Sequence, residues 1–239
     1  MRRRPYSLAL IGVAVSSLAL AGCGPLSADS VTTEDREVAA DVTGIVLSDA
    51  GRLTLSPGAT ASLSVTASPD QLERIRTESR DGVLHLEHEG RRVWFGRTGE
   101  ITYDAQLPTV NSLRVQGSGD IDATVDPADT LEVTIDGSGH IRIEGVQAGN
   151  LTVKVSGSGD VELVGTADRL SLEIDGSGDI DGTELVSSDA TATIRGSGNI
   201  NVNATNTLDA RISGAGSISH SGGATVTKTV NGAGVISGS

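Results

Sequence analysis

The 239-residue sequence has little cysteine, few aromatic residues and no long hydrophobic run. Its single cysteine, Cys23, has no second thiol in the chain, which excludes a framework of intrachain disulfides. Aromatic residues make up only 2% of the chain, so we expect a core of aliphatic side chains. The apolar run at residues 8–20 is shorter than the roughly 20 residues that a membrane-spanning helix needs, and no second run of that length follows. The sequence therefore predicts no transmembrane helix.

Basic residues are also scarce, with 18 Lys and Arg against 31 Asp and Glu and a formal charge of −13. Because such a chain repels the phosphates of nucleic acids, no nucleic-acid partner is expected. Three of the arginines stand at positions 2 to 4, directly before the apolar run, which is the layout of a signal peptide. Without residues 1–22 the formal charge becomes −16, from 15 basic and 31 acidic residues.

The apolar run ends in Leu20-Ala21-Gly22-Cys23, which resembles a bacterial lipobox, where the cysteine thiol receives a diacylglyceryl group. The alternative is an ordinary signal peptide next to a free thiol. We predict a lipoprotein signal peptide at residues 1–22 and lipidation of Cys23, which would anchor the body to the bacterial cell membrane, outside the cytoplasm. Residues 23–40 are polar and lack periodicity, and they are predicted to be a flexible tether.

A Gly-x-Gly motif recurs at intervals of 18 to 20 residues. Its seven first glycines are Gly117, Gly137, Gly157, Gly176, Gly196, Gly214 and Gly232. In each copy, apolar residues are expected six, four and two positions before the first glycine, as in Leu131, Val133 and Ile135, and an aliphatic residue stands four positions after it, as in Ile141. Strict alternation predicts strands, and a period near 20 predicts a solenoid.

These patterns predict an all-β fold, a single right-handed parallel β-helix of about 19 residues per coil with its corners at the glycines. Residues 113–239 would form the regular coils. Residues 41–112 keep the strand texture without the motif and would form irregular N-terminal β coils or a cap. A short helix at residues 69–75, capped by Ser68, is expected within that region. Helical repeats of similar period are disfavoured because glycines and β-branched residues recur in every unit.

Several short motifs resemble the auto-transporter adhesin, head GIN domain family. They are the corner Pro57-Gly58, the stretch Asp81-Gly82-Val83-Leu84 and the repeated Gly-Ser-Gly-Asp/Asn-Ile, of which Gly196-Ser197-Gly198-Asn199-Ile200 is one copy. The resemblance covers roughly residues 41–237. It implies a right-handed β-helix on the cell surface or in the envelope.

Stacked coils would place polar residues in two columns, three and five positions after the first glycine. Asp160 and Asp179 are neighbours in one column, and Glu162 and Asp181 in the other. Carboxylates about 4.8 Å apart repel by about 0.9 kcal/mol even at the dielectric constant of water. Calcium would offset this repulsion, which makes the four residues candidate metal ligands and the chain a candidate calcium-stabilised spacer. The alternative is that they cap corners and keep the surface soluble, with no cofactor.

Three aromatic residues, Trp94, Phe95 and Tyr103, lie near Arg97 in the sequence. Flat rings beside arginine suit a glycan or acidic-polymer site, so these four residues are candidate ligand contacts. The same residues could instead plug the wide end of the solenoid.

No catalytic triad, metal-ligand spacing or phosphate loop stands out, so the chain is not expected to be an enzyme. A carbohydrate-active β-helix enzyme that uses Asp160, Asp179 and Arg195 is the alternative. The last residues, 234–239, carry no charged side chain, which suggests end-to-end self-association through that edge as a hypothesis. The overall expectation is a lipid-anchored, noncatalytic adhesion or binding module whose partner is an envelope glycan or protein.

Overall fold

The computed structural model describes residues 31–90 and 100–238. Strand accounts for 73% of the described residues and helix for 2%. The elements are β1 (Thr32–Arg36), β2 (Gly44–Leu47), β3 (Arg52–Pro57), β4 (Ser62–Ala67), α1 (Pro69–Leu72), β5 (Ile75–Arg80), β6 (Val83–His88), β7 (Thr102–Leu107), β8 (Ser112–Gly117), β9 (Asp120–Thr124), β10 (Ala128–Gly137), β11 (His140–Gly157), β12 (Asp160–Gly176), β13 (Asp179–Gly196), β14 (Asn199–Gly214), β15 (Ser217–Ser221), β16 (Thr225–Gly232) and β17 (Val235–Gly238). All of these strands belong to one hydrogen-bonded sheet wound into about six stacked parallel coils. The predicted all-β solenoid is thus confirmed.

From β8 onward, residues one coil apart pair in parallel register on up to three faces. The pre-corner face leads into the Gly-x-Gly motif and contains residues 112–117, 132–137, 152–157, 171–176, 191–196, 209–214 and 227–232. The post-corner face follows the motif and contains residues 120–124, 140–144, 160–162, 179–182, 199–203, 217–221 and 235–238. The third face contains residues 128–130, 146–150, 165–169, 185–189 and 204–207.

The glycines of the motif are required by the close contact between coils. Gly137 has a φ of +147°, which L side chains rarely adopt, and a Cβ there would collide with the carbonyl oxygen of Gly117. The same oxygen accepts a hydrogen bond from the backbone N–H of Ser138 at 2.8 Å. Because later corners repeat this arrangement, the glycines form a stack that sets the register of the coils.

Aliphatic side chains fill the interior, as the alternation predicts. Leu131, Val133 and Ile135 are at most 1% exposed. The final copy departs from the pattern, because Lys228 occupies the position where the preceding coil has the buried Ala210. The expectation of apolar residues in every copy is wrong there, and the C-terminal edge is not without charge.

Residues 31–107 stack in an order that differs from their order in the chain. β2 and β3 form one coil, while β6 and β7 form another on its outer side. This follows from the pairing, since β2 lies between β6 and β8 and β3 lies between β7 and β9. Antiparallel strands β1, β4 and β5 complete this end.

Two local predictions need correction. β1 lies inside the predicted tether, residues 23–40, and it is ordered as a strand because it pairs along its whole length with residues 63–67. α1 ends at Leu72 rather than at residue 75, because Ile75 begins β5. Ser68 caps the helix as predicted, with its N–H donating to Gln71 Oε1 at 3.2 Å. Across residues 31–90 and 100–238, no helix has the length and apolar character needed to cross a membrane.

Candidate functional site

The acidic columns lie on the post-corner face in the register that the repeat predicts. Asp160 pairs with Asp179, and Glu162 with Asp181. Each of the four carboxylates has a partner within the chain. Asp160 accepts from the N–H of Asp179 at 3.1 Å, and Asp179 accepts from Asn199 Nδ2 at 2.8 Å. Asp181 accepts from the N–H of Thr183 at 3.0 Å, and Glu162 forms an ion pair with Arg142. Where the structure describes the chain, no three His, Cys, Asp or Glu side chains are arranged to hold a metal ion. Calcium binding at these residues stays an alternative to be tested.

The predicted aromatic cluster is only partly visible. Trp94, Phe95 and Arg97 lie outside the described residues, as does Cys23. Tyr103 is fully buried, and its hydroxyl donates to Asp49 Oδ2 at 2.5 Å. Burial, together with the charge of Asp49, raises the pKa of Tyr103 far above its usual range. A buried, neutral Tyr103 packs in the core of the N-terminal coils and is not an exposed ligand contact.

The structure does not assemble the acidic and basic residues of the enzyme alternative. Asp160 and Asp179 lie on the post-corner face, whereas Arg195 lies on the pre-corner face. Arg195 forms ion pairs there with Glu173 and Asp175. The glycine corner thus separates the arginine from the two carboxylates that it was expected to join.

A groove of about 480 Å³ follows the edge where the third face meets the pre-corner face. It crosses five coils, so with strands about 4.8 Å apart it extends over about 19 Å. Beneath its polar side chains lie the aliphatic core residues Leu151, Leu170, Ala190 and Leu208, which are at most 6% exposed. Its polar residues form two columns, Asn150, Arg169, Asp189, Thr207 and Thr225 in one, and Thr152, Ser171, Thr191, Asp209 and Thr227 in the other. The groove therefore offers hydroxyl, amide and charged groups to a ligand.

Two charged groups in the middle of the groove differ in their partners. Asp189 accepts hydrogen bonds from Thr207 Oγ1 at 2.5 Å and Asn206 Nδ2 at 2.8 Å, which lower the pKa of its carboxyl group. Arg169 donates to Asn150 Oδ1 at 3.4 Å. Among the arginines of the regular coils, Arg169 is the one that forms no ion pair with a described residue. Its charge also acts on the carboxylate of Asp189 one coil away, and its remaining N–H groups can donate to a ligand.

Sequence reasoning missed this groove, although its columns are visible in the repeat. They stand seven and five positions before each first glycine, as Arg169 and Ser171 do before Gly176. What the spacing does not show is that the chain bends there. The structure is also needed to show that Arg169 forms no ion pair, because this depends on which residues the neighbouring coils supply.

The fold and the stacked polar columns define a β-solenoid protein. The chain belongs to the family described as "Putative auto-transporter adhesin, head GIN domain", whose model matches residues 41–224. The resemblance seen in the sequence is thereby confirmed. By family, the chain is grouped with adhesins, which indicates an extracellular or envelope protein. No curated protein matches it in sequence.

Solved structures share the fold over nearly their whole length. One is a putative adhesin from Bacteroides fragilis, with a TM-score of 0.80 and 25% identity over 88% of this chain and 97% of that one. Another is a putative lipid binding protein from Parabacteroides distasonis, with a TM-score of 0.71 and 24% identity over 87% and 96%. A putative adhesin from Parabacteroides merdae has a TM-score of 0.72 and 19% identity over 87% and 96%. The solenoid is thus shared by proteins named as adhesins and by one named as a lipid binding protein.

Proposed function

We propose that this chain is a noncatalytic binding module of the bacterial envelope that holds an extended glycan along the groove. The observation that carries the proposal is Arg169, which forms no ion pair with a described residue and lies in a polar groove five coils long. Membership in an adhesin family supports a binding role outside the cytoplasm.

The chemistry of the groove matches a glycan better than a polyanion. Sugar hydroxyls donate to carboxylates such as Asp189 and accept from Arg169, and the threonine and serine hydroxyls that line the groove can do both. Asp189 and Asp209 line the same groove, and the mature chain is expected to carry a formal charge of −16. A strongly anionic polymer would therefore be repelled.

The test is binding of residues 23–239, carrying Cys23→Ser, to a panel of immobilised envelope glycans. Arg169→Ala should weaken binding about 10-fold or more, since a hydrogen bond to a charged group contributes about 1.5–3 kcal/mol. Arg195→Ala is the matched control, because it removes the same charge from the pre-corner face outside the groove. Glycan binding that both variants retain would show that the ligand binds outside the groove, and binding to none of the glycans would reject this class of ligand.

The anchor proposed for this module is a lipid on Cys23, supported by the sequence Leu20-Ala21-Gly22-Cys23. Acyl chains at that residue would hold the solenoid at the membrane surface through residues 24–31. Cells fed a labelled fatty acid should label the natural chain, and Cys23→Ser should abolish the label. Equal labelling of both chains would contradict the anchor without affecting the glycan test.

A further inference from the structure

The C-terminal end of the solenoid has a lysine on its inner side. On the pre-corner face, the column of buried residues Val153, Leu172, Ala192 and Ala210 continues to Lys228. Lys228 Nζ lies 3.3 Å from the carbonyl oxygen of Ile236, on the post-corner face. The side chain therefore reaches from one face to the other, over the last aliphatic layer.

A histidine occupies the inner side of the post-corner face at the same end. His220 continues the column of the buried Val202 and is followed by Gly238. Its imidazole fills the space that a Cβ at residue 238 would need, which explains the glycine there. His220 Nε2 is buried without a hydrogen-bond partner in the described part of the chain. Burial and the charge of Lys228 both lower the pKa of His220.

The strands at this end present features that favour association. β16 pairs only with β14, and β17 only with β15, among the described strands, so each has a free edge. Val230 and Val235 are 41% and 59% exposed. A free strand edge beside apolar side chains is a template for another strand, and natural proteins block such edges with inward-pointing charges.

The N-terminal end carries the same kind of protection. Glu34 and Arg36 of β1 pair with the buried Val65 and Leu63, so they face inward. They form an ion pair at 2.8 Å, and Arg36 Nη2 donates to the carbonyl oxygen of Leu72 at 3.1 Å. Inward-facing charges are thus present at both ends of the solenoid, which indicates that they serve the same purpose, to block the free strand edges.

We propose that Lys228 prevents a second copy of this chain from stacking on the C-terminal end. Stacking would bury the ammonium in an aliphatic channel where a carbonyl oxygen is its partner, and a buried charge without an opposite charge is unfavourable. Two C-terminal ends facing each other would also bring two lysines together. An apolar residue at position 228 removes both costs and leaves the free edges able to pair.

Sedimentation of residues 23–239 carrying Cys23→Ser tests this directly. The reference chain should stay monomeric, whereas Lys228→Leu should at least double its mass as concentration rises. The matched control is Lys154→Leu, at the only other lysine of the sequence, which lies on the pre-corner face but points outward and pairs with Glu173 and Asp175. This control and Lys228→Glu should both remain monomeric.

Two results would overturn the proposal: a monomeric Lys228→Leu, or a reference chain that already assembles through this end. Should Lys228→Leu precipitate, Lys228→Gln removes the charge without adding an apolar side chain. Its mass should then rise with concentration, and a monomeric Lys228→Gln would count against the proposal.

Discussion

The N-terminal coils and the regular coils build the same corner in different ways. In the regular coils, glycines allow stacked backbones to approach, and the N–H of Ser158 donates to the carbonyl oxygen of Gly137 at 2.9 Å. In the coil of β2 and β3, a buried carboxylate holds the corner instead. Asp49 Oδ1 accepts from the N–H of Gly51 at 2.6 Å, and Oδ2 accepts from Tyr103.

The difference follows from what each corner contacts. A regular corner stacks on an identical corner, so no space is left for a Cβ. The corner at residues 48–51 meets glycines on one side only, where Asp120 N–H donates to the carbonyl oxygen of Gly51 at 3.0 Å. On its other side it meets the ring of Tyr103 from β7. In the regular coils, each glycine corner sets the register of the next identical corner. The coil of β2 and β3 has no such neighbour on its outer side, and the Asp49–Tyr103 pair fixes its corner instead.

Among these predictions, Gly176→Ala should have the largest effect on stability, because it disrupts the stacking of the regular coils. The new Cβ would collide with the carbonyl oxygen of Gly157, at a φ of +148°. We expect the free energy of unfolding to fall by about 3 kcal/mol or more, measured by urea denaturation. Gly223→Ala is the control, because its φ is +82° and no atom lies within 4 Å of the new Cβ, so its cost should be about 1 kcal/mol. Equal costs would show that backbone conformation, not stacking, requires these glycines.

Tyr103→Phe should weaken the N-terminal corner by a smaller amount. It leaves Asp49 Oδ2 buried without its donor, which costs about 1–3 kcal/mol. Ser158→Ala, which removes an exposed hydroxyl from a regular corner, should change stability by less than about 0.5 kcal/mol. Hydrogen exchange should locate the loss in β2, β3 and β7. Faster exchange spread evenly over β10 to β14 would contradict a separate N-terminal corner.

The same two regions differ in how far the sequence predicts them. The regular coils are predictable because each column repeats, and even Lys228 is visible as the exception to its column. The N-terminal region is not, because β1 finds its partner about 30 residues away and a polar segment alone does not reveal that pairing. The groove is predictable only in part. Its columns repeat in the sequence, but the bend of the chain and the lack of an ion pair at Arg169 depend on contacts between coils.

Within the regular coils, the post-corner face has an acidic half in the earlier coils and a neutral polar half in the last three. The comparison of these halves gives the smallest expected effect. The acidic half contains Asp160, Asp179 and Asp181, whereas the same columns contain Asn199 and serines in the later coils. Because these carboxylates already accept hydrogen bonds from the chain, we expect millimolar calcium to change the melting temperature by less than about 1 °C. Magnesium at equal concentration controls for general screening of charge. A rise specific to calcium that Asp179→Asn abolishes would contradict this expectation, and it would mean that a cation replaces these internal hydrogen bonds in the acidic half alone.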